Sequence, residues 1–229
     1  WQVDEYCQWL EDIFNAYFDS TTNQEIVRVD VRLPTEREWK LAARGGNPDA
    51  TFPWKGNGMR NTEKKFEGDF MANFVRGRGD YMGVAGKLND HADVTAPVRS
   101  YWPNGYGLYN MAGNVAEMIH EEGRTKGGSW RSRAPMLQID GEDPYSGFEG
   151  ASPEIGFRFF VEVLETRDLQ KKKEPKINAK FFLKMFEEIV EDSVYAGKHE
   201  VTNKLYNLYL EETRAQDSSA GENWVNVTM

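Results

Sequence analysis

Apolar residues near the start of the chain recur at helical steps. Val3, Cys7, Leu10, Phe14 and Tyr17 fall four, three, four and three residues apart, a single stripe that predicts a helix burying that face. Thr35-Glu36-Arg37-Glu38 has the spacing of a capping box, in which the Thr35 hydroxyl accepts from the amide of residue 38 while Glu38 reaches back to the Thr35 amide. The helix it opens carries Trp39, Ala42 and Ala43 and should stop at Gly45-Gly46. Between Gly45 and Gly156 helical periodicity is lost, and glycine, asparagine, proline and aromatic residues crowd the chain. That stretch predicts loops and short strands, ordered by buried aromatics and side-chain hydrogen bonds. Phe157-Arg158-Phe159-Phe160-Val161-Glu162-Val163 reads as one strand around 157–164. Residues 167–179, with Lys171-Lys172-Lys173 and Pro175, are too polar to bury and read as an exposed linker. Hydrophobicity returns over 180–213, where Leu205, Tyr206, Tyr209 and Leu210 form a helical stripe behind an N-cap at Thr202 or Asn203. The tail over 215–222 is turn-rich.

Composition narrows the class. The chain has 229 residues, 39% hydrophobic and 28% charged, which suits a soluble globular fold and excludes collagen-like or disulfide-scaffold readings. No run of 18 apolar residues is long enough to cross a membrane as a helix, and the residues from Trp1 do not have the pattern of a cleaved leader. A net charge of −9 disfavours nucleic acid, whose phosphates require a basic face. The single cysteine, Cys7, excludes an internal disulfide and a thiol-rich metal site.

Several strings carry a family resemblance. Arg32-Leu33-Pro34-Thr35-Glu36-Arg37-Glu38-Trp39 closes on Ala42-Ala43-Arg44-Gly45-Gly46, and Phe52-Pro53-Trp54 and Ala72-Asn73-Phe74 follow. Pro103-Asn104-Gly105-Tyr106-Gly107-Leu108-Tyr109-Asn110-Met111-Ala112-Gly113-Asn114-Val115-Ala116-Glu117, then Gly127-Gly128-Ser129-Trp130 and Gly156-Phe157-Arg158, complete the set. In this order the strings resemble the formylglycine-generating-enzyme (sulfatase-modifying factor) family. The resemblance implies an α+β fold, a loop-rich variant of the C-type-lectin-like fold with short strands and a few helices, over residues 1–166. Lys198-His199-Glu200-Val201-Thr202-Asn203-Lys204-Leu205-Tyr206 resembles the family's opening segment, and Trp224-Val225-Asn226-Val227-Thr228-Met229 looks like the strand leading into the helix near Trp1. Residues 180–229 therefore either complete the same module in permuted order or start a second one. Packing favours completion, because 1–164 alone would leave the core without its opening strand and helix.

What the resemblance implies for chemistry is mostly a loss. The family's catalysts use two cysteines shortly after the Gly-Gly-Ser motif, holding copper as soft thiolates. Counted without gaps, those positions are Ser132 and Leu137. The expectation is a pseudoenzyme with no catalytic residues, no formylglycine-generating activity and neither copper nor iron. Cys7 falls at a position where core packing is the ordinary role. His91, His120 and His199 are far apart and read as surface or capping residues; Glu117, Glu121, Glu122, Asp140, Glu142 and Asp143 read as a solvated acidic rim. Arg78-Gly79-Asp80 reads as a turn, and Trp39, Arg44, Trp54, Trp130 and Arg158 as structural residues.

Calcium is the metal that the resemblance retains. A first site would use the Asn73 and Asp90 side chains with the Phe74 and Ala92 carbonyls. A second would use the Asn110 side chain with the carbonyls of Met111, Gly113 and Val115, Glu117 lying close by. Such oxygen sets suit a hard cation, although Asn and Asp also close turns by bonding to backbone amides.

The function expected on these grounds is a non-catalytic scaffold or protein-interaction domain. Residues 72–81 and 107–117 are similar to the gliding-motility lipoproteins GldJ and GldK of Bacteroidota. That likeness implies an exported protein of the cell envelope, periplasmic or outer-membrane associated, working with other proteins of a gliding or type IX secretion assembly. Two other functions stay open: a metal-dependent oxidase of the same fold with relocated ligands, and a calcium-dependent glycan-binding module displaying Trp102 or Tyr101.

Overall fold

The first apolar stripe forms α1 (Gln2–Ser20), with Tyr6, Cys7, Leu10 and Phe18 buried. Tyr17, placed in the stripe by spacing, is instead exposed, and Phe18 takes the core position. At 3.6 residues per turn the stripe drifts around the helix, so a run of threes and fours overshoots by the fourth turn. The computed structural model describes residues 2–21, 25–75, 94–166, 186–190 and 194–216. The polar linker, Asp90, His91, Ala92, the Arg78-Gly79-Asp80 tripeptide and the 217–229 tail lie outside them.

β1 (Ile26–Arg32) precedes α2 (Glu36–Arg44). The capping box is formed at both ends of its reciprocal bond, and Gly45 closes the helix in the left-handed region at φ 54°. The loop-rich middle carries only β2 (Ala116–Met118), β3 (Thr125–Lys126), a 3-10 turn over Ala134–Leu137 and β4 (Ile155–Phe157). The single strand expected around 157–164 is two elements. Phe157 ends β4, whereas β5 (Phe160–Thr166) belongs to another sheet. Arg158 and Phe159 make the crossing between them, because the Arg158 side chain is drawn inward by buried acceptors. β6 (Phe186–Val190), β7 (Val194–Gly197) and α3 (Asn203–Gln216) follow, and the Thr202 hydroxyl caps α3 by accepting from the Leu205 amide.

One sheet runs β1-β5-β7-β6, antiparallel at every pair. The other places β2 between antiparallel β3 and parallel β4. Alternation along β5 sends Val161 to one face and Phe160 to the other. Val161, Val29, Val31 and Phe186 pack with Tyr6, Leu10 and Tyr209, beneath α1 and α3. Phe160, Ile189, Val194 and Ala196 pack with Trp39, Ala42 and Ala43 of α2. Helices thus cover both faces of the larger sheet. A third cluster, Phe52, Phe70, Ala72, Phe74, Ala112 and Leu137, orders the loops around the smaller one.

Candidate functional site

Two places carry the residues singled out above. The first follows β3, where Gly127-Gly128-Ser129-Trp130 leads into the 3-10 turn. Ser132 is buried; its hydroxyl accepts from the Ser129 amide at 2.9 Å and its carbonyl from the Val75 amide at 3.0 Å. Leu137 is fully buried in the third cluster. Both side chains are used for packing and loop closure. Cys7 sits on α1 in a different cluster, where burial, with the nearby charges of Asp4, Asp30 and Glu11, pushes its thiol up to about 12. As the chain's single cysteine, buried among the apolar side chains of the first cluster, Cys7 has no second thiolate with which to hold copper. The residues present therefore do not fit copper, and no step can be routed through it.

The second place is a buried polar cluster where the loop 110–117 meets the start of β5 and the end of β7. Glu117, expected on an acidic rim, is 1% exposed. Its carboxylate accepts from the Trp39 indole at 2.8 Å and forms an ion pair with the fully buried Arg158 at 2.6 Å. Arg158 also donates to the carbonyls of Gly197 and Tyr109, each at 2.7 Å. Glu200 is buried beside them, accepting from the Asn110 and Asn114 side-chain amides at 3.3 Å each. Burial pushes the Glu200 carboxyl up to about 7, opposed by Arg158 and reinforced by Glu117. Glu117 holds the Arg158 guanidinium directly, while Glu200 feels its charge without bonding to it.

Asparagines frame this cluster. Asn110 and Asn114 both adopt left-handed backbone, at φ 50° and 65°. The Asn114 side-chain oxygen accepts from the Ala96 amide at 2.8 Å and from the Asn73 amide group at 3.4 Å. Asn73 donates to the Val94 carbonyl at 2.7 Å, and its own carbonyl takes the Asn114 amide at 2.9 Å. Gly113 packs so closely that a Cβ there would collide with the Asn73 carbonyl oxygen, and only glycine permits that approach.

The calcium expectations divide accordingly. Of the first set, Asn73 and Phe74 are buried, while Asp90 and Ala92 lie outside the described residues. Of the second, Asn110, Met111 and Gly113 are buried and Val115 is half-buried in the same loop. The Asn110 side-chain amide donates to the Val98 carbonyl and to Glu200, each at 3.3 Å. Glu117 is committed to Trp39 and Arg158. Among the described residues no three His, Cys, Asp or Glu side chains converge as a metal site, so amide and carbonyl oxygens would dominate any ligand set.

Other expectations are revised. Asp143, also placed on the acidic rim, has a side chain only 4% exposed and accepts from the Thr125 amide and hydroxyl. His199 is half-buried, tilted over the Tyr109 ring, with its Nε2 accepting from Arg99 at 3.2 Å. Tyr101 is buried and Trp102 half-buried against Phe66, so neither is a freely displayed aromatic.

The model of the sulfatase-modifying factor enzyme 1-like domain matches residues 1–163. The chain belongs to the sulfatase-modifying factor enzyme 1-like family. Its relatives include the formylglycine-generating enzymes of Thermomonospora curvata, 38% identical over 51% of this chain and 35% of that protein, and of Streptomyces coelicolor, 43% identical over 53% and 33%. Also similar is the inactive C-alpha-formylglycine-generating enzyme 2 of Bos taurus, 31% identical over 56% of this chain and 42% of that protein. The chain therefore spans between a third and somewhat over two-fifths of these relatives' length. Family membership carries the mixed α and β, loop-rich fold. Within this sulfatase-modifying-factor-like chain, the residue that sequence reading missed as a site component is Glu200. It lies 90 residues from Asn110, and its only signal was membership of the displaced opening segment.

Proposed function

We propose that this chain is a non-catalytic member of its family, a scaffold or protein-interaction domain of an exported bacterial protein. The observation that carries the reading is the fate of the two positions counted from Gly127-Gly128-Ser129. Ser132 closes a loop by hydrogen bonding and Leu137 fills the core of another, while the single thiol is buried and held protonated. Similarity to an inactive relative agrees with it. The likeness of residues 72–81 and 107–117 to gliding-motility lipoproteins motivates the finer reading: partners among proteins of a cell-envelope assembly, at the periplasm or outer membrane. Calcium at the Asn110 loop is part of the proposal, as a brace for loops with few ladder hydrogen bonds.

The test is an oxidation assay with a cysteine-containing sulfatase peptide and added copper. No formylglycine is expected from the purified chain, nor any stoichiometric copper or iron. Turnover, or tight binding of either metal, would overturn the reading and favour an oxidase with relocated ligands. Calcium-dependent retention on glycans would favour the lectin-like alternative.

A further inference from the structure

A glycine after asparagine or aspartate is a chemical weak point, because its backbone nitrogen has no Cβ beside it and can reach the preceding side-chain carbonyl. The chain has three such pairs, Asn57-Gly58, Asn104-Gly105 and Asp140-Gly141. The fold protects two of them. The Asn104 side-chain oxygen accepts from the Tyr106 and Leu108 amides, each at 3.0 Å. Its nitrogen donates to the Ala42 carbonyl at 2.7 Å and the Ala43 carbonyl at 3.3 Å. Gly105 is wedged so tightly that a Cβ there would collide with the Gly45 carbonyl oxygen. With both ends of its amide occupied and the next peptide wedged, Asn104 cannot swing its side-chain carbonyl over the Gly105 nitrogen. Asp140 is ion-paired to Lys40 and Arg44, each at 2.9 Å, which keeps its carboxylate a poor electrophile. The Gly141 amide that would attack it is already donated to the Gln138 carbonyl at 2.9 Å.

Asn57 has neither kind of protection. It is exposed, in a loop between two exposed glycines, with Gly56 in the left-handed region at φ 87°. A Cβ on Gly56 would meet nothing within 4 Å, and one on Gly58 only the Arg60 backbone at 4.0 Å, so there is room to turn on both sides. Among the described residues no hydrogen bond holds the Asn57 side chain or the Gly58 amide. What fastens the loop is the Gly58 carbonyl, which accepts from the Trp54 indole at 2.9 Å. Trp54 in turn stacks on Phe52, with centroids 5.0 Å apart and planes 12° apart.

We propose that Asn57 is a site of spontaneous covalent modification, deamidating through a cyclic imide, while Asn104 in the same dipeptide is kept intact by the fold. The Gly58 backbone nitrogen attacks the Asn57 side-chain carbonyl carbon. A carbon–nitrogen bond closes the ring, the bond to the side-chain nitrogen breaks, and ammonia leaves carrying the proton from the Gly58 amide. Water then opens the ring at either carbonyl. One opening gives aspartate; the other gives isoaspartate, whose main chain runs through the former side chain. No oxidant or reductant is needed. Either product adds a negative charge to the loop, and isoaspartate also lengthens the chain beside the carbonyl that anchors Trp54.

The experiment incubates the purified full chain at mildly alkaline pH and follows both asparagines by peptide mapping with mass spectrometry, natively and in unfolding urea. In the native state Asn57 should convert roughly tenfold or more faster than Asn104, because releasing Asn104 means opening its four side-chain hydrogen bonds together. In urea the two should convert at comparable rates. Gly58→Ala, whose Cβ has room and whose backbone lies outside the left-handed region, should melt with wild type and slow conversion of Asn57 severalfold. Native conversion of Asn104 at the rate of Asn57, or an Asn57 that stays intact until urea is added, overturns the proposal. A native selectivity that survives unchanged in urea overturns it too, since neighbouring residues and not the fold would then set the difference. Unslowed conversion in Gly58→Ala overturns the ring-closure route.

Discussion

At His199 a single ring records how the fold treats charge. Burial, and then the positive charges of Arg99, Arg158 and Lys198, hold its pKa down to about 4, against 6.5 for a free imidazole. The folded protein keeps His199 neutral where the unfolded chain already takes a proton. Stability from this residue is therefore intact above about pH 6.5 and falls as pH drops from there toward 4, because only the unfolded state is stabilised by protonation in that window. Urea denaturation of wild type and His199→Gln should show a smaller loss between pH 7 and 4.5 in the variant; equal losses would mean the ring is solvated. The same scale shows what sequence can and cannot disclose. Arg158 was readable as a buried collector of carbonyls, since a guanidinium beside glycines in an apolar string has few other uses. Ser132 and Leu137 were readable because a missing thiol is visible in one letter. The burial of Glu117 and Asp143 was not, because a lone carboxylate has no periodicity, and only the Arg158, Trp39 and Thr125 donors brought up by the fold decide its environment.

Among elements, α1 does more than bury a stripe. Among the described residues β1 is an edge strand of its sheet and pairs with β5, so alternate backbone groups face away from β5 and need partners. α1 supplies them. Asn15 donates to the Val29 carbonyl at 3.0 Å and accepts from the Val29 amide at 2.9 Å, while Glu11 accepts from the Val31 amide at 3.1 Å. Asn15→Ala should cost about 1–3 kcal/mol, the range for leaving a partly buried backbone pair unsatisfied, read as a shift in the urea midpoint. A loss below about 0.5 kcal/mol would show that water replaces the amide without penalty. The capping box and the α3 cap were legible because capping chemistry is local, three residues wide. The edge seal was not, since Asn15 and Glu11 sit among polar positions of a helix and only the docking angle aims them at β1. The division of 157–164 into two strands was hidden for a similar reason: the break is caused by acceptors far away, at Glu117, Tyr109 and Gly197.

For the molecule as a whole, the question is whether residues from both ends of the chain unfold together. β7 pairs with β5 through Phe160–Ala196 and Glu162–Val194, and Tyr209 of α3 lies edge-on to Tyr6 of α1 at 5.3 Å. Trp9 donates to Glu212 at 2.9 Å across the same seam. The sheet between the two main clusters is shared, with Phe159 and Val161 on one side and Phe160 and Ala196 on the other, so loosening one face withdraws support from the other. Sequence favoured one completed module over the start of a second through the likeness of 198–206 to an opening segment and through the edge that 1–164 alone would leave; strand order cannot be read from residues that alternate on both sides of a long connection. Completion of one module makes a definite prediction. Tyr209→Ala truncates a ring that is 2% exposed and should cost about 3–5 kcal/mol, as large-to-small aromatic changes in cores do. In a single module that loss reaches Trp39, buried under the opposite face of the sheet, so tryptophan emission and far-ultraviolet dichroism should shift to one lower midpoint together. If 186–216 instead belonged to a separate unit, the dichroism change from α3 would move alone, and the transition reported by a chain keeping only Trp39 among its tryptophans would stay where it was.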